Sequence, residues 1–426
     1  MFVGVILMLV FLFIGMPIGY CLAIGGFVGM VFVEGLQMAL KLLMTTPFRS
    51  VASYSLVTIP LFVLMAEIMD VTGMAKNAYV AAYKALGHLR GGLAIATILG
   101  GAAFGACSGS SSASTATFGA IAIPEMQKYK YSDELASGTV AIAGTLAAII
   151  PPSILLVVYG SQADVSIGKQ LMAGVVPGLM LTLFYAVCVW LMVKIKPSSA
   201  PLVPPFPREE KIKAIISVWP MALVAGTILV LLYSGIATPT ETAALGAVAT
   251  LILGFITKSL DFAKIKKCVY NTLKTTSMMF LIIIGSQIFT YYMTLTGVTK
   301  TALSALAALN APSAVILLLI VIVYLILGCF LPAMGTMMLT LPLVLPLVTR
   351  MGYDPIWFGV VLVTLLEIGL ITPPVGLNCF IASGVSGIPL AKVFKGATPL
   401  LIAAMLGILV MCVFPQMVTW LPYLMK

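Results

Sequence analysis

Residues 147–156 read AAIIPPSILL, and residues 369–378 read GLITPPVGLN. Two consecutive prolines remove two backbone donors and clash with the preceding turn, so a helix entering either stretch must unwind. Unwinding frees carbonyl oxygens that can coordinate a hard cation. The half-helix that follows offers its positive N-terminal end to an anion.

The two stretches lie 222 residues apart, and the same offset organises the whole chain. Laying residues 1–204 over 223–426 makes five of the ten first-half prolines meet a proline: Pro17/Pro239, Pro124/Pro346, Pro151/Pro373, Pro152/Pro374 and Pro177/Pro399. Cys107/Cys329, Tyr131/Tyr353, Ser161/Ser383 and Gly174/Gly396 also coincide. The chain therefore reads as a duplication: repeat one at 1–204, a linker at 205–222, and repeat two at 223–426.

The medium around these repeats is lipid. Of 426 residues, 61% are hydrophobic and only 8% are charged, against roughly 25% charged in soluble domains. Apolar runs near the ~20 residues that cross a bilayer core recur. The reading gives spans near 1–16, 17–33, 55–71, 133–160, 171–193, 214–233, 240–257, 276–295, 355–383 and 397–415. The first 33 residues lack a basic start and a cleavage signal, so they read as membrane segments and not as a removed leader. Seven cysteines sit in apolar runs without CxxC or Cys/His pairing, which suits gap-filling thiols better than disulfides or metal.

Basic residues set the expected orientation. Segments 73–90, 127–131, 194–213, 258–274 and 384–396, all read as loops, hold 17 of the 23 Lys and Arg. They are expected in the cytoplasm, with both termini outside. The net charge of +10 then reflects loop lysines, and no nucleic-acid partner is expected. Five spans per repeat make the repeats inverted.

Two segments do not fit as single spans. Residues 91–126 read GGLAIATILGGAAFGACSGSSSASTATFGAIAIPEM, with basic residues on both flanks. A re-entrant hairpin with its tip at 108–115 satisfies both ends. Its counterpart is 312–349, with a tip at 330–337 (FLPAMGTM). Open backbone at membrane depth is tolerated only against protein or a wet cavity. Two tips and two unwound helices, within 133–160 and 355–383, therefore mark a binding site at the repeat interface.

The candidate side chains are neutral oxygen donors: Ser108, Ser110, Ser111, Ser112, Ser114 and Thr115 at the first tip, with Thr145 and Ser153 at the facing break. In repeat two Thr336, Thr340, Thr372 and Asn378 play the same part. Such donors suit sodium, and an anion would be held by sodium charge, helix dipoles and hydroxyls in place of an arginine. Glu367 is the carboxylate nearest a break and is a candidate coupling group. Glu67 and Glu241, near span ends, read as structural.

Several stretches resemble the large membrane subunit of TRAP (tripartite ATP-independent periplasmic) transporters. These are IPLFVLMAEIMD (59–70), GHLRGGLA (87–94), IAIPEM (121–126), IIPPS (149–153), AGVVPGL (173–179) and EIGLITPPVGLN (367–378). The similarity covers nearly the whole chain and is weakest at 195–275. It implies an all-α polytopic fold of the inverted-repeat ion-transporter type, with two re-entrant hairpins, two unwound helices and elevator motion. It also implies residence in the bacterial inner membrane and two partners, a small four-helix membrane subunit and a soluble periplasmic substrate-binding protein. The cargo would be a carboxylate such as a four-carbon dicarboxylate or a sialic acid. No cofactor is implied beyond sodium as the coupling ion. Carried onto this chain, the sodium sites fall near Ser108, Ser110, Thr145 and Pro151, and near Gly335, Thr336, Thr372 and Pro373. Ser111, Ser112, Ser153 and Asn378 are left for substrate. Rival readings are a stand-alone sodium–carboxylate symporter, a passive channel, and an intramembrane hydrolase using Ser108. The last lacks a base other than His88 and has no HExxH motif.

Overall fold

The computed structural model describes residues 3–297, 301 and 312–425, and no strand occurs among them. Repeat one begins with α1 (Val3–Phe13), α2 (Ile18–Glu34), α3 (Leu36–Val51), α4 (Thr58–Val71) and α5 (Met74–Leu86). It continues through α6 (Gly92–Ser108), α7 (Ser111–Lys128), α8 (Asp133–Thr145), α9 (Ile154–Gln162), α10 (Ile167–Ala173) and α11 (Val175–Ile195). After α12 (Arg208–Ile216) come α13 (Trp219–Ser234), α14 (Pro239–Ile256) and α15 (Phe262–Leu295). The remaining described helices are α16 (Ser313–Phe330), α17 (Ala333–Arg350), α18 (Pro355–Gly369), α19 (Leu377–Ser386), α20 (Leu390–Val413) and α21 (Gln416–Leu424). The helix ends Ser108/Phe330, Ser111/Ala333, Lys128/Arg350 and Asp133/Pro355 all sit at the offset of 222. Among the described residues, seven helical stretches are long and apolar enough to cross a membrane. The fold is the expected all-α polytopic one.

Helix starts follow their local signals. Thr238 and Glu241 form a reciprocal cap around Pro239 at the head of α14. Asp354 accepts from the Ile356 and Trp357 amides ahead of α18, which also opens on a proline.

Packing relies on small residues. A Cβ on Gly26 of α2 would lie 2.8 Å from the Phe289 backbone of α15, so these helices touch backbone to backbone. Likewise a Cβ on Gly138 of α8 would lie 2.3 Å from Gly396 in α20. Helices α4 and α14 pack beside the first contact; α7, α11 and α19 gather around the second.

Both hairpins are present. The Tyr83 and Tyr129 hydroxyls lie 2.9 Å apart, and the Leu93 amide donates to the Tyr131 hydroxyl at 3.5 Å, so both ends of segment 91–126 lie together. In the second hairpin, Tyr324 of α16 meets Thr340 of α17 at 2.6 Å.

Several boundaries move. Segment 73–90, read as a loop, is mostly α5, and 258–274 is mostly the first part of α15. Hydropathy falls there because lysines accumulate, but lysine is a good helix former and the helix continues. At 34 residues, α15 is about 50 Å long and outreaches the hydrocarbon core. Its counterpart in repeat one is divided into α3 and α4 near Ala52. From Val3 onward, the segment read as 1–33 is two helices, joined at Gly15, whose positive φ of 88° suits glycine, and residues 1 and 2 lie outside the described residues. The described part of α1 has 11 residues, about 16 Å, short of a full crossing. Of the six Lys and Arg outside the five basic segments, Lys300 and Lys426 lie outside the described residues.

Candidate functional site at the hairpin tips

The first tip is narrower than the sequence suggested. Helix α6 runs through Ser108 and α7 starts at Ser111, so only Gly109 and Ser110 are non-helical and most of 108–115 belongs to helix ends. Gly109 has φ +60°, and a Cβ there would meet the Pro152 carbonyl oxygen at 2.8 Å. Only glycine fits this contact, and it seats the tip on the first break. Ser110 accepts from the Ala113 amide at 3.4 Å, and the Ser108 and Ser114 hydroxyls bond at 2.8 Å.

At the first break, α8 gives way at Thr145 to one tight turn, and Pro151 and Pro152 follow, buried and joined by a cis peptide bond. Ser153 caps α9, accepting from the Leu156 amide at 3.2 Å.

The second tip consists of Leu331 and Pro332 alone, with Gly335 and Thr336 already inside α17. Gly335 packs against Ile18 of α2. At the second break α18 ends at Gly369, and Pro373 and Pro374 are again cis but exposed. Helix α19 starts after Gly376, whose φ is +62°.

Four candidate hydroxyls share one habit: Thr145 donates to Ile142, Ser153 to Ala148 across the break, Thr336 to Pro332 and Thr372 to Ile368, each to a backbone carbonyl a few residues earlier. Their protons are engaged and each oxygen keeps a lone pair, although Ser153 already accepts one bond from Leu156.

Both tips and both breaks meet at one cavity of roughly 120 Å³. Tip one contributes Ser110, Ser111 and Ser112, and tip two contributes Pro332, Ala333 and Met334. Ile154 and Leu155 come from the first break, and Glu367, Leu370 and Leu377 from the second. The first residues of α7, α9, α17 and α19 all line it, so four helix N-termini converge, and no Lys or Arg is among the described lining residues. Ends of the preceding segments, at Gly109, Ala148 and Leu370, bring in carbonyl-bearing termini. Such a pocket has a positive side for an anion and carbonyls for cations.

Glu367 is 1% exposed, and its Oε2 has no hydrogen-bond partner. The Asn378 amide nitrogen donates to Ser111 Oγ at 2.7 Å, tying the second break to the first tip. The structure thus brings together Ser110, Ser111, Ser112, Asn378 and Glu367. Asn378 joins this group through its bond to Ser111 and does not itself line the cavity; nor do Thr145, Pro151, Ser153, Gly335, Thr336, Thr372 and Pro373, although their elements do.

Ser108 faces a neighbouring cavity of roughly 110 Å³, which also contains Ser110, Glu67, Asp70 and Thr117. There Asn271 donates to Glu67 at 2.8 Å and Thr117 to Asp70 at 3.0 Å. Glu67, read from sequence as a span-end structural residue, therefore adjoins the tip. Its place inside the apolar run IPLFVLMAEIMD was the available signal.

Two hairpins and two interrupted helices around one pocket define a multi-pass membrane permease. The chain belongs to the DctM component family of the tripartite ATP-independent periplasmic transporters, whose family model matches residues 5–417. It is 34% identical to the C4-dicarboxylate TRAP transporter large permease protein DctM of Pseudomonas aeruginosa, over 91% of this chain and 93% of that one. It is 29% identical to the sialic acid TRAP transporter large permease protein SiaM of Vibrio cholerae (97% and 96% covered). The isethionate TRAP transporter permease protein DctMQ of Oleidesulfovibrio alaskensis is 34% identical, with 95% of this chain and 63% of that protein covered. Among solved structures, the Alcanivorax borkumensis YdaH transporter shares the fold at TM-score 0.57 and 12% identity, over 93% of this chain and 91% of that one. The chain is a multi-pass inner-membrane permease subunit and not an enzyme. The Ser108 hydroxyl is bonded to Ser114, and His88 is exposed.

Proposed function

We propose that this chain is the transport subunit of a sodium-coupled, binding-protein-dependent secondary transporter that imports a small organic anion, a four-carbon dicarboxylate, sialic acid or similar carboxylate. The observation that carries the reading is the meeting of four helix N-termini at a pocket without a basic side chain. The anion lies against the α7, α9, α17 and α19 N-termini, with Ser111, Ser112, Ser153 and Asn378 as polar contacts. Sodium is held near Ser108, Ser110, Thr145 and Pro151, and near Gly335, Thr336, Thr372 and Pro373. The donor set fits: hydroxyl lone pairs and chain-break carbonyls are hard oxygen ligands, and Glu367 Oε2 and Asn378 Oδ1 are buried acceptors without donors.

The repeats are inverted and both termini are periplasmic. Hairpins and broken helices slide as one body against the layer built on α2, α4, α14 and α15, carrying ion and anion together. Partners are a small four-helix membrane subunit and a periplasmic substrate-binding protein. An orientation test uses Lys84→Cys and Tyr129→Cys in a cysteine-free background: both label from the cytoplasmic side. Labelling from opposite sides removes the re-entrant assignment.

The decisive experiment reconstitutes this chain with its small membrane partner in liposomes. Sodium-driven uptake requires the binding protein outside, because a pocket without a bidentate arginine holds free carboxylate weakly. Robust uptake of free substrate at micromolar levels without that protein would make the chain a stand-alone symporter.

A further inference from the structure

The anion pocket contains a feature that opposes anion binding. Glu367 lines the same cavity as the four helix N-termini and is 1% exposed, so its charge is not dispersed by water. No basic side chain among the described lining residues balances it. Two acceptor atoms close to it lack donors: its own Oε2, and Oδ1 of Asn378, a residue with 0% exposure. Ser111 joins the two residues, accepting from Asn378 Nδ2 at 2.7 Å while contacting the Glu367 carboxylate. With the Ser111 oxygen occupied by the amide, its proton is free to point at Glu367. A carboxylate oxygen, an amide oxygen and a hydroxyl, all buried and two of them unpartnered, form a hard-oxygen set that lacks a positive charge.

We propose that Glu367, together with Asn378 and Ser111 from among the anion's own polar contacts, forms a further sodium site, which must be filled before the anion can enter the pocket. Empty, the site leaves the Glu367 carboxyl either ionised and repelling the incoming carboxylate, or neutralised by a proton that adds no attraction. A filled one removes that repulsion and adds attraction. Sodium and substrate then raise each other's affinity by the same factor, because coupling between sites is reciprocal. This deepens the sodium-coupled reading and rests on it: the coupling lies in one buried carboxylate shared by both ligands, in addition to the neutral sites at the tips and breaks.

The test counts sodium ions. Radiolabelled sodium alone is titrated onto the full chain, held with its small membrane partner in nanodiscs. Glu367→Gln, close to isosteric, binds one sodium fewer than the wild type. Glu367→Asp keeps the charge and retains the full number at lower affinity. With succinate as a dicarboxylate probe, sodium raises anion affinity in the wild type by a factor within the usual range of about 5–150. In Glu367→Gln that factor falls severalfold, toward the coupling that the neutral sites alone supply. An unchanged sodium count in Glu367→Gln overturns the site, as it does if a proton occupies Glu367 instead. Equal loss in the Asp and Gln variants marks a structural role and also overturns it. A wild type that binds no sodium at all refutes the sodium-coupled reading itself, a result distinct from either.

Discussion

The two tip-and-break pairs occupy equivalent positions in the chain, yet they are finished differently. In repeat one, serines cap both helices that start at the pocket: Ser110 for α7 and Ser153 for α9. Pro151 and Pro152 are buried, and Gly109 seats the tip on the Pro152 carbonyl. In repeat two the corresponding positions are Pro332 and Val375, so no side chain caps α17 or α19, and Pro373 and Pro374 are exposed. Uncapped helix N-termini keep their first amides available. Repeat one is therefore the preformed wall of the site, and repeat two leaves its donors for a ligand or for movement.

Glycine substitutions test this contrast with the largest effect. Gly109→Ala adds a left-handed cost of about 1–2 kcal/mol to a clash with a backbone oxygen that cannot move aside. Gly376→Ala carries the same conformational cost, but its nearest neighbour is the Phe394 ring, which can rotate. Thermal unfolding of the purified variants should show a loss of about 3 kcal/mol at Gly109 and about half that at Gly376. Equal losses break the contrast.

The caps come next. Ser153→Ala removes the α9 cap and the bond to the Ala148 carbonyl, at about 1 kcal/mol. Val375→Ala, at the equivalent position, has no cap to lose and shifts stability by about 0.5 kcal/mol or less. Denaturation midpoints of the two variants compare them directly.

Ion dependence sharpens the comparison at similar size. If hydroxyl oxygens in both repeats hold sodium, Ser108→Ala and Thr372→Ala each raise the sodium concentration for half-maximal uptake. A lost neutral ligand worth about 1 kcal/mol corresponds to about fivefold. Unchanged sodium dependence in both variants would move the ligands to the backbone carbonyls.

The smallest effect lies furthest from the pocket. Lys392 pairs with Asp133 at 2.8 Å on a half-exposed surface. At the same offset, Gln170 is buried and donates to the Ile356 carbonyl at 3.3 Å. Lys392→Ala should cost about 0.5 kcal/mol or less, and salt should erase the difference. Gln170→Ala should cost more, because it removes a buried hydrogen bond and empties a packed position.

The sequence alone determined the membrane setting, the duplication, both broken helices and both hairpins. Each rests on a local property: hydropathy over a span, a proline pair over one turn, or basic flanks beside a segment. Local signals also misled. Lysines made the start of α15 look like a loop, and the Ser/Gly run at 108–115 looked like open backbone although all but two of its residues are helical. Only the tertiary structure decided which side chains share the pocket. It placed Ser111 against Asn378, 267 residues away, and brought Glu67 beside the first tip. Those meetings depend on which faces of distant helices touch. Glycine contacts such as Gly26 on Phe289 and Gly109 on Pro152 set those faces, and no periodicity within one helix encodes its partner.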